Sequence, residues 1–578
     1  MSDLSTPLWQ PATEPVVRTA VPATVPLVPP HAGPTVQAHQ RFCGVLDLAE
    51  GRLLAGDLPA AAALAKLATN EAFPATVGLF GSPRLERLLI EIGRRMPAPD
   101  AAVPPALRGE RRQVLHVLTY AKPIGGDSRY AWRWMELDGD SCHSVALTSQ
   151  QEVAGTYEVP GALTRAVHSS GGAVHTLGAP VTEPLAQARQ LRALCQQADV
   201  VVLHLYPYDI VPMLALASGC DSARVLLVNH SDHTFWVGAG VAHGIAHLRS
   251  QNDAFLAQRR GLDVERRMLL PIPIPTPPPA LAMGRREAKR RLGLDPDGVL
   301  LLTIASPFKY SAPGQVGLLD LVTPVLASRP HVHFMAVGPS DHGDWHAASL
   351  ACDGRILALG RRWDNDVLFA AADVYLDSVP FSSITSLLEA GCHGLALLGY
   401  RGLDEDMRLL GPGAPGIDET MEMASVPAAY QVCLERLIDD AALRESRGEL
   451  ARRRIDELHG GDGWRSALAA VYAQLDATPE RGCVGEQGDV AQTTSLDGAL
   501  ARLFGSVTDP HRSARLVRHC LTPLPYASRV RLAVQLGALG FKTNVLTCLP
   551  PPLDGWARRF KRRLDRSDPP PAHPQDRA

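Results

Sequence analysis

Paired cysteines are missing from this 578-residue sequence. Its ten cysteines are scattered, and no two of them form the C-x-x-C pattern that is typical of zinc sites and redox pairs. A zinc site or a disulfide framework is therefore not expected, and reduced thiols are the simplest interpretation.

An excess of charge of one sign is also missing. Lysine and arginine number 57, aspartate and glutamate number 60, and the net charge is −3 with a pI of about 6.7. Nucleic-acid binding usually depends on a strongly basic surface. The composition therefore predicts no nucleic-acid partner.

Long apolar runs are missing as well. No uninterrupted stretch reaches the ~18 residues of a membrane span, and the start of the chain lacks the basic and apolar regions of a secretory signal. We therefore expect a soluble protein of the cytoplasm. The basic stretch 555–566, with Trp556, Phe560 and Leu564 near one side of a predicted helix, would add a weak contact with the inner membrane surface. A solvated basic tail is the alternative.

Composition and periodicity divide the chain into five segments. Residues 1–39 are rich in proline and threonine and predict a disordered leader. Apolar residues at helical spacing predict a helical N-terminal unit at 40–100. Two larger domains are predicted at 110–275 and 285–476, and a helical C-terminal extension at 496–566.

Short apolar runs alternate with helical stretches through both larger segments. The runs that predict strands are 114–120, 144–149, 173–177, 199–206 and 224–230 in the first, and 299–306, 332–338, 355–360, 373–378 and 395–400 in the second. Nearly continuous apolar strands between helices indicate parallel sheets covered on both faces. The proline-dense run 269–279 can continue neither a helix nor a central strand. The sequence thus predicts an α/β fold with two Rossmann-like parallel-sheet domains joined by this linker.

The most informative motif is DSVPFSSITSLLEAGCHGLALLG at 377–399. A strand ending at Asp377 is followed by a loop and then by a short helix that carries Glu389. Ligands of parallel sheets bind at the carboxyl ends of the strands, and a helix N-terminus suits a diphosphate. A glutamate on such a helix can accept hydrogen bonds from a ribose diol, although a solvent-facing residue is the alternative. Hydroxyl groups that could add donors belong to Ser382, Ser383, Thr385 and Ser386.

This motif resembles the glycosyltransferases of the GT-B fold, group 1 type, in which a Pro-Phe loop leads into a helix bearing S-L-L-E-A. The resemblance covers about 110–476 and implies two Rossmann-like domains that face each other across a cleft. It implies that Glu389 binds the nucleotide ribose. Many family members also carry a glutamate eight positions earlier that contacts the donor sugar, and Phe381 stands there in this sequence. The loop is also similar to a branch shared with protein O-glycosyltransferases, so the anomeric outcome stays open.

Basic residues follow two strands of the second domain. The resemblance implies a basic residue against the donor diphosphate, and Lys309 in SPFKYSAPG matches it. A lysine supplies a point charge that offsets phosphate charge, although a solvated loop lysine is the alternative. Arg361 and Arg362 are further candidates for the same role, in the segment where the family usually contacts the nucleotide base.

Three polar residues follow a first-domain strand in the motif NHSDHTFW at 229–236. The resemblance implies that a histidine at this strand end projects toward the donor sugar, and His230 matches it. Asp232 or His233 could act as the base on an acceptor hydroxyl. The three groups could also coordinate a metal, but GT-B enzymes typically neutralise the diphosphate without one. Polar residues that only cap the sheet are the alternative.

Two further loops are candidates for the walls of the cleft. Gly125 and Gly126 would let the backbone approach a ligand closely, and the resemblance implies a Gly-Gly loop that faces donor and acceptor; a plain turn is the alternative. His204, Tyr206 and Asp209 lie at another strand end and are candidates for the acceptor side, although residues without a role in binding are the alternative.

We therefore predict a hexosyltransferase that moves a sugar from a UDP- or GDP-type donor to an acceptor hydroxyl. The expected partners are the nucleotide sugar and a glycan, lipid-linked or protein acceptor, as in glycan or surface polysaccharide synthesis. No cofactor and no metal are expected. A protein O-glycosyltransferase is one alternative, which the helical unit before residue 97 favours. A degenerate binding module without turnover is the other, which Phe381 favours.

Overall fold

The computed structural model describes the helical and sheet-forming parts of the chain. The described residues are 32–73, 77–97, 110–123, 125–153, 158–178, 183–218, 223–249, 253–275, 283–310, 315–402, 409–478, 480–481, 489, 491, 494, 496–498, 500–501 and 512–543. The predicted leader before residue 32 and the basic segment 555–566 lie outside them.

A helical unit precedes the first sheet. Its helices are α1 (Ala32–Leu54), α2 (Leu58–Ala72) and α3 (Pro83–Arg95). The side chain of Asp57 caps α2, and the Ser82 hydroxyl accepts a hydrogen bond from the Leu85 amide at 3.0 Å, so that Ser82 and Pro83 open α3 as the sequence predicts. The first helix begins inside the segment predicted as a disordered leader. A helical backbone places Ala38, Phe42 and further apolar residues on one face, where they are buried.

The first sheet contains seven strands, all paired in parallel. They are β1 (Arg112–Leu118), β2 (Ser141–Leu147), β3 (Val174–Thr176), β4 (Val200–His204), β5 (Arg224–Asn229), β6 (Gly244–His247) and β7 (Arg267–Leu269), in the order β3-β2-β1-β4-β5-β6-β7. The helices between them are α4 (Gly126–Leu137), α5 (Gln150–Val153), α6 (Gly161–Ser170), α7 (Pro184–Cys195), α8 (Val211–Leu216) and α9 (Asp253–Arg260).

The second sheet contains six strands, also all parallel. They are β8 (Val299–Ile304), β9 (Val332–Val337), β10 (Ile356–Ala358), β11 (Val374–Leu376), β12 (Ala396–Tyr400) and β13 (Glu422–Ala424), in the order β10-β9-β8-β11-β12-β13. Its helices are α10 (Arg285–Arg291), α11 (Leu318–Ala327), α12 (Asp344–Ala351), α13 (Asp366–Ala371), α14 (Ile384–Cys392), α15 (Ile417–Thr420), α16 (Pro427–Asp439), α17 (Ala441–His459) and α18 (Gly461–Ala477). Two separate parallel sheets confirm the predicted α/β class and are the arrangement that the GT-B resemblance implies.

The linker and the last long helix tie the two sheet domains together. The indole of Trp464 in α18 donates to the Pro271 carbonyl at 2.8 Å, and the amide of Ile274 donates to the His459 carbonyl at 2.9 Å. Farther along α18, the Tyr472 hydroxyl reaches the Asp138 carboxylate at 3.0 Å. The helix therefore runs from the second domain back onto the first, as predicted. Residues 276–279 of the predicted linker lie outside the described residues.

The two flanking helical segments form one body. Helices α19 (Arg512–Leu521) and α20 (Tyr526–Ala538) pack against the N-terminal unit, and Arg52 of α1 donates to the Gln535 amide oxygen at 2.9 Å. Gly44 of α1 lies so close to Leu539 that an added Cβ would stand 2.7 Å from that side chain. The sequence predicted these helical segments as two separate units. Their packing against each other could not be predicted from the periodicity of either one, because they lie far apart in the chain. Within the described residues, no helix is long and apolar enough to cross a membrane.

Candidate active site

A cavity of about 590 Å³ opens between the carboxyl ends of the two sheets. Both sheet domains line it, and Phe73 at the end of α2 adds an aromatic ring from the helical unit. The residues that the sequence predicted for catalysis and donor binding lie in its wall. These residues are Gly125, Gly126, His230, Asp232, His233, Lys309, Arg361, Ser382, Ser383, Thr385, Ser386 and Glu389.

The hydroxyl-rich loop after β11 is shaped by the buried carboxylate of Asp377. This carboxylate accepts hydrogen bonds from the backbone amides of Ser378 at 2.9 Å and Ser383 at 3.2 Å. Burial raises the pKa of Asp377, and the loop hydrogen bonds oppose that shift. The loop then enters α14 at Ile384, and no side chain caps this helix end. Its first amides and the adjacent hydroxyls are therefore open to an anion in the cavity.

Lys309 lies on a single helical turn after β8 and points its amine at that loop. Its Nζ donates to the Ser382 carbonyl at 2.8 Å and stands 4.6 Å from the centre of the Phe381 ring. Burial lowers the pKa of Lys309 to about 8, against the opposing charge of Asp377. The amine is still charged at neutral pH and lies at the wall where a phosphate would meet α14.

Glu389 is bound from the other side of the cleft. Arg129 and Arg133 of α4 donate to its Oε1 at 2.8 Å and 2.6 Å. No described residue forms a hydrogen bond with its Oε2. One oxygen therefore joins the two domains, while the other is open to a ligand. The sequence did not identify either arginine, because both lie on the far domain and carry no motif.

Two helix N-termini meet at this point. Helix α4 begins at Gly126, where an added Cβ would stand 3.0 Å from the Thr385 hydroxyl of α14. An added Cβ at Gly125 would stand 2.3 Å from the Lys122 side chain. The lack of side chains at this pair thus permits close contacts, with Lys122 of the same domain at Gly125 and with Thr385 of the opposite domain at Gly126. The close approach to a ligand stays a prediction.

The charge of the cavity wall is predominantly positive. Among its described residues, the basic side chains are Lys122, Arg129, Arg249, Lys309, Arg361 and Arg362, and the carboxylates are Asp127, Asp232 and Glu389. Lys122 is already paired with Asp127 at 3.7 Å. Together with two helix N-termini, this excess of positive charge suits an anionic ligand.

The three polar residues after β5 have different surroundings. His230 is only partly buried, and its Nε2 forms a hydrogen bond with Nδ1 of His204 at 3.1 Å. Burial lowers the pKa of His230 to about 4, so its ring is neutral near pH 7. Asp232 lies 3.5 Å from Nε of Arg249 and also accepts a hydrogen bond from Asn229. His233 packs edge-on against Phe381, with ring centroids 4.5 Å apart.

These contacts separate the candidate roles. Asp232 is buried and held by neighbouring groups, whereas His230 and His233 are only partly buried; burial lowers the pKa of His233 well below its ordinary value, as it lowers that of His230. Of the acceptor-side candidates, Tyr206 lines the cavity, whereas Asp209 is buried and accepts hydrogen bonds from Thr119 and Thr148. Within the described residues, no group of three or more His, Cys, Asp or Glu side chains is arranged to hold a metal ion.

Two further residues of the wall, besides Arg129, were not predicted from the sequence. Arg249, after β6, donates to the carbonyls of Leu409 at 2.9 Å and Gly411 at 2.8 Å, and so joins the first domain to the second. Asn365, before α13, has a buried Oδ1 with no hydrogen-bond partner among the described residues. Arg249 stands in no recognisable motif. Asn365 lies within the segment GRRWDND at 360–366, where the resemblance implies the contact with the nucleotide base, but its own role was not predicted.

Comparison with solved structures finds glycosyltransferases. A glycosyltransferase from Rickettsia africae is 11% identical, with a TM-score of 0.48 over 64% of this chain and 99% of that one. Anabaena HepE in complex with UDP and glucose is 13% identical, with a TM-score of 0.47 over 64% and 100%. A Thermobaculum terrenum O-GlcNAc transferase mutant is 17% identical, with a TM-score of 0.43 over 77% and 82%. No protein-family model and no curated protein matches the sequence. At TM-scores below 0.5 these likenesses carry no conclusion about activity.

Proposed function

We propose that this protein is a glycosyltransferase that moves a sugar from a nucleotide-sugar donor to an acceptor hydroxyl. The observation that carries the proposal is the cleft between the two sheets, where two helix N-termini and an excess of basic side chains converge. Such a site can stabilise the negative charge that develops on a departing nucleoside diphosphate. A UDP- or GDP-type donor is proposed because it carries both a diphosphate and a ribose.

The diphosphate binds between Lys309 and the N-terminus of α14. The hydroxyls of Ser383, Thr385 and Ser386 add hydrogen-bond donors, and the Lys309 amine stands beside them, bound to the Ser382 carbonyl at 2.8 Å. Arg361 lies at the exposed edge of the cavity and adds a second charge. Charged side chains thus neutralise the diphosphate, and we propose that donor binding requires no metal. A chelator such as EDTA should therefore leave donor affinity unchanged.

The nucleoside binds farther along the second domain. Oε2 of Glu389 is open to the ribose diol while the two arginines hold Oε1. The unpaired, buried Oδ1 of Asn365 supports a hydrogen-bond contact with the base, since a buried acceptor without a donor is unfavourable in the empty site.

The acceptor approaches from the first domain. Its hydroxyl would reach the donor sugar near His230, while Tyr206, Pro207 and Phe73 form an apolar and aromatic wall. Phe73 belongs to the helical unit, outside the two sheet domains. This contact favours a polypeptide acceptor as a second candidate, beside glycan and lipid-linked acceptors in surface polysaccharide synthesis.

A screen of nucleotide sugars by thermal shift tests the proposal. The right donor should raise the melting temperature, because a ligand that binds only the native state stabilises it by mass action. Transfer from that donor to glycan and polypeptide acceptors then separates the two candidates. Donor binding without hydrolysis or transfer would instead indicate a binding module, and no binding of any nucleotide sugar would contradict the proposal.

A further inference from the structure

Four histidines form a continuous hydrogen-bonded chain that ends at the cavity. Nδ1 of His143 lies 3.0 Å from Nε2 of His116, and Nδ1 of His116 lies 3.0 Å from Nε2 of His204. Nδ1 of His204 lies 3.1 Å from Nε2 of His230. Every link joins the Nδ1 of one ring to the Nε2 of the next, so the chain has a direction.

The sheet itself builds this chain. His143, His116 and His204 lie on β2, β1 and β4, which are neighbours in the sheet, and His230 follows β5, the next strand. The first three rings are almost fully buried. The indole of Trp134 packs edge-on against His116, with ring centroids 5.3 Å apart. The rings are therefore held in place by the strand register and by aromatic packing.

The far end of the chain fixes where each proton lies. Nε2 of His143 is 3.1 Å from the backbone carbonyl of Asp138 and 3.4 Å from its carboxylate Oδ2. A carbonyl oxygen can only accept a hydrogen bond, so Nε2 of His143 must carry a proton. Burial lowers the pKa of His143, so the ring is neutral near pH 7 and its Nδ1 is bare.

The same assignment then propagates from ring to ring. A bare Nδ1 on His143 can only accept, so Nε2 of His116 must carry the proton of that hydrogen bond. A neutral ring carries one proton, so Nδ1 of His116 is then bare, and the same reasoning applies at His204 and His230. Burial lowers the pKa values of His116 and His204 well below the ordinary range, which keeps both rings neutral. Nε2 of His230 is therefore protonated. Its Nδ1 is bare and has no hydrogen-bond partner among the described residues.

We propose that this histidine chain presents Nδ1 of His230 to the cleft as the base for the acceptor hydroxyl and conducts the proton to Asp138. The proposal rests on the proposed transferase function. His204, His116 and His143 are positioning residues in it, because they act through His230.

The proton transfer balances along the chain. The hydroxyl proton moves to Nδ1 of His230 as the oxygen bonds to the sugar carbon and the diphosphate leaves. The Nε2 proton of His230 moves to Nδ1 of His204, and the same shift follows through His116 and His143 to Oδ2 of Asp138. Each ring ends neutral in the opposite tautomer, and the carboxylate becomes a carboxylic acid. A buried imidazolium, which burial disfavours at every ring, need not persist.

Nitrogen NMR of protein labelled with ¹⁵N-histidine tests the tautomer directly. The His230 signals are identified by their loss in His230→Ala. We expect a protonated Nε2 and a bare Nδ1 at neutral pH, in protein without donor or acceptor. A protonated Nδ1 on His230 would overturn the proposal even if the enzyme transfers sugar. Absence of donor binding would overturn the proposed function and leave this spectrum unchanged.

Asp138→Asn tests the proton transfer separately. The variant keeps the backbone carbonyl that fixes the tautomer, but its amide cannot take up the proton. Turnover should fall about a hundredfold, as loss of general base catalysis predicts, while UDP affinity and the His230 spectrum stay the same. Asp199→Asn is the matched control, since Asp199 also lies at the amino ends of the strands, where it accepts a hydrogen bond from the Gln113 amide at 2.9 Å and not from a histidine of the chain. Equal turnover in the two variants would contradict the relay.

Discussion

Lys309 is a charged residue whose surroundings no sequence motif could indicate. The sequence predicted a lysine at the diphosphate, but not the contacts with the Phe381 ring and the Ser382 carbonyl. These contacts orient the amine toward the open N-terminus of α14. Burial lowers the pKa of Lys309 to about 8, which makes the charge of this residue sensitive to pH in the range used for assays.

Removal of this amine should weaken nucleotide binding selectively. Lys309→Met should lower UDP or GDP affinity about tenfold to a hundredfold, since a charged hydrogen bond contributes about 1.5–3 kcal/mol. Lys122→Met is the control, because Lys122 is already paired with Asp127 and Tyr206, and its loss should have a much smaller effect. Equal losses in titration calorimetry would contradict the assignment.

The same residue predicts a pH dependence. Below pH 8 the Lys309 amine is protonated and attracts the diphosphate; above it, the amine is neutral. Nucleotide affinity in the wild type should therefore fall as the pH rises from 7 to 9, and the Lys309→Met variant should lack this transition. Affinity that rises over this range in the wild type would exclude the proposed role.

Phe381 stands where many members of the family that the motif resembles carry a glutamate, and its side chain also packs against neighbouring residues. It is 4% exposed and contacts His233, Phe308 and Lys309. Phe381→Glu should therefore lower the free energy of unfolding by about 2–4 kcal/mol and should not increase transfer activity, because it buries a carboxylate and removes an aromatic ring. Phe381→Leu should cost less than about 1.5 kcal/mol. Urea unfolding measures both, and a stable, more active Phe381→Glu variant would show that a sugar contact is simply missing.

At the scale of elements, α3 anchors the helical unit to the first domain. The buried carboxylate of Glu86 accepts hydrogen bonds from the backbone amides of Gly238 at 2.6 Å, Ala239 at 3.2 Å and Gly240 at 3.0 Å. Glu86→Ala removes the acceptor of three backbone amides, of which that of Gly238 is buried, and should lower the free energy of unfolding by about 2–4 kcal/mol. Glu91→Ala, on the exposed face of α3, should change it by less than about 0.5 kcal/mol in the same urea titration. Equal effects would mean that α3 does not anchor the unit.

The sequence predicted strands correctly where a buried strand consists of a long apolar run. The strands β1, β4 and β8 follow runs of valine and leucine and are buried along most of their length. No apolar run indicated β6, β7 or β13, which are only four, three and three residues long. Each short segment becomes a strand by pairing in parallel with a neighbour, β6 with β5, β7 with β6 and β13 with β12, which is a tertiary effect that periodicity does not record.

At the scale of the whole molecule, the sequence predicted the walls of the site but not how they meet. Strand ends and loops are local features, and they carried His230, Lys309 and Glu389. The contacts of Glu389 with Arg129 and Arg133 join residues that lie far apart in the chain. Only the relative placement of the two domains creates them, and no spacing rule applies to such pairs.

This placement makes one control necessary for any test of Glu389. Arg133→Gln removes one interdomain contact and leaves the carboxylate in place, still bound by Arg129. If Glu389 acts mainly on the ribose, Arg133→Gln should reduce nucleotide affinity much less than Glu389→Gln does.

Titration calorimetry with UDP and GDP, followed by a transfer assay, tests the central claim that the second domain holds the nucleotide and the first acts on the sugar and acceptor. Glu389→Gln should lower nucleotide affinity about tenfold to a hundredfold, because the ribose loses a charged acceptor. His230→Ala should bind the free nucleotide almost as the wild type does and should lose turnover with donor and acceptor together. Loss of nucleotide binding in His230→Ala, with binding retained in Glu389→Gln, would contradict this assignment of the two domains.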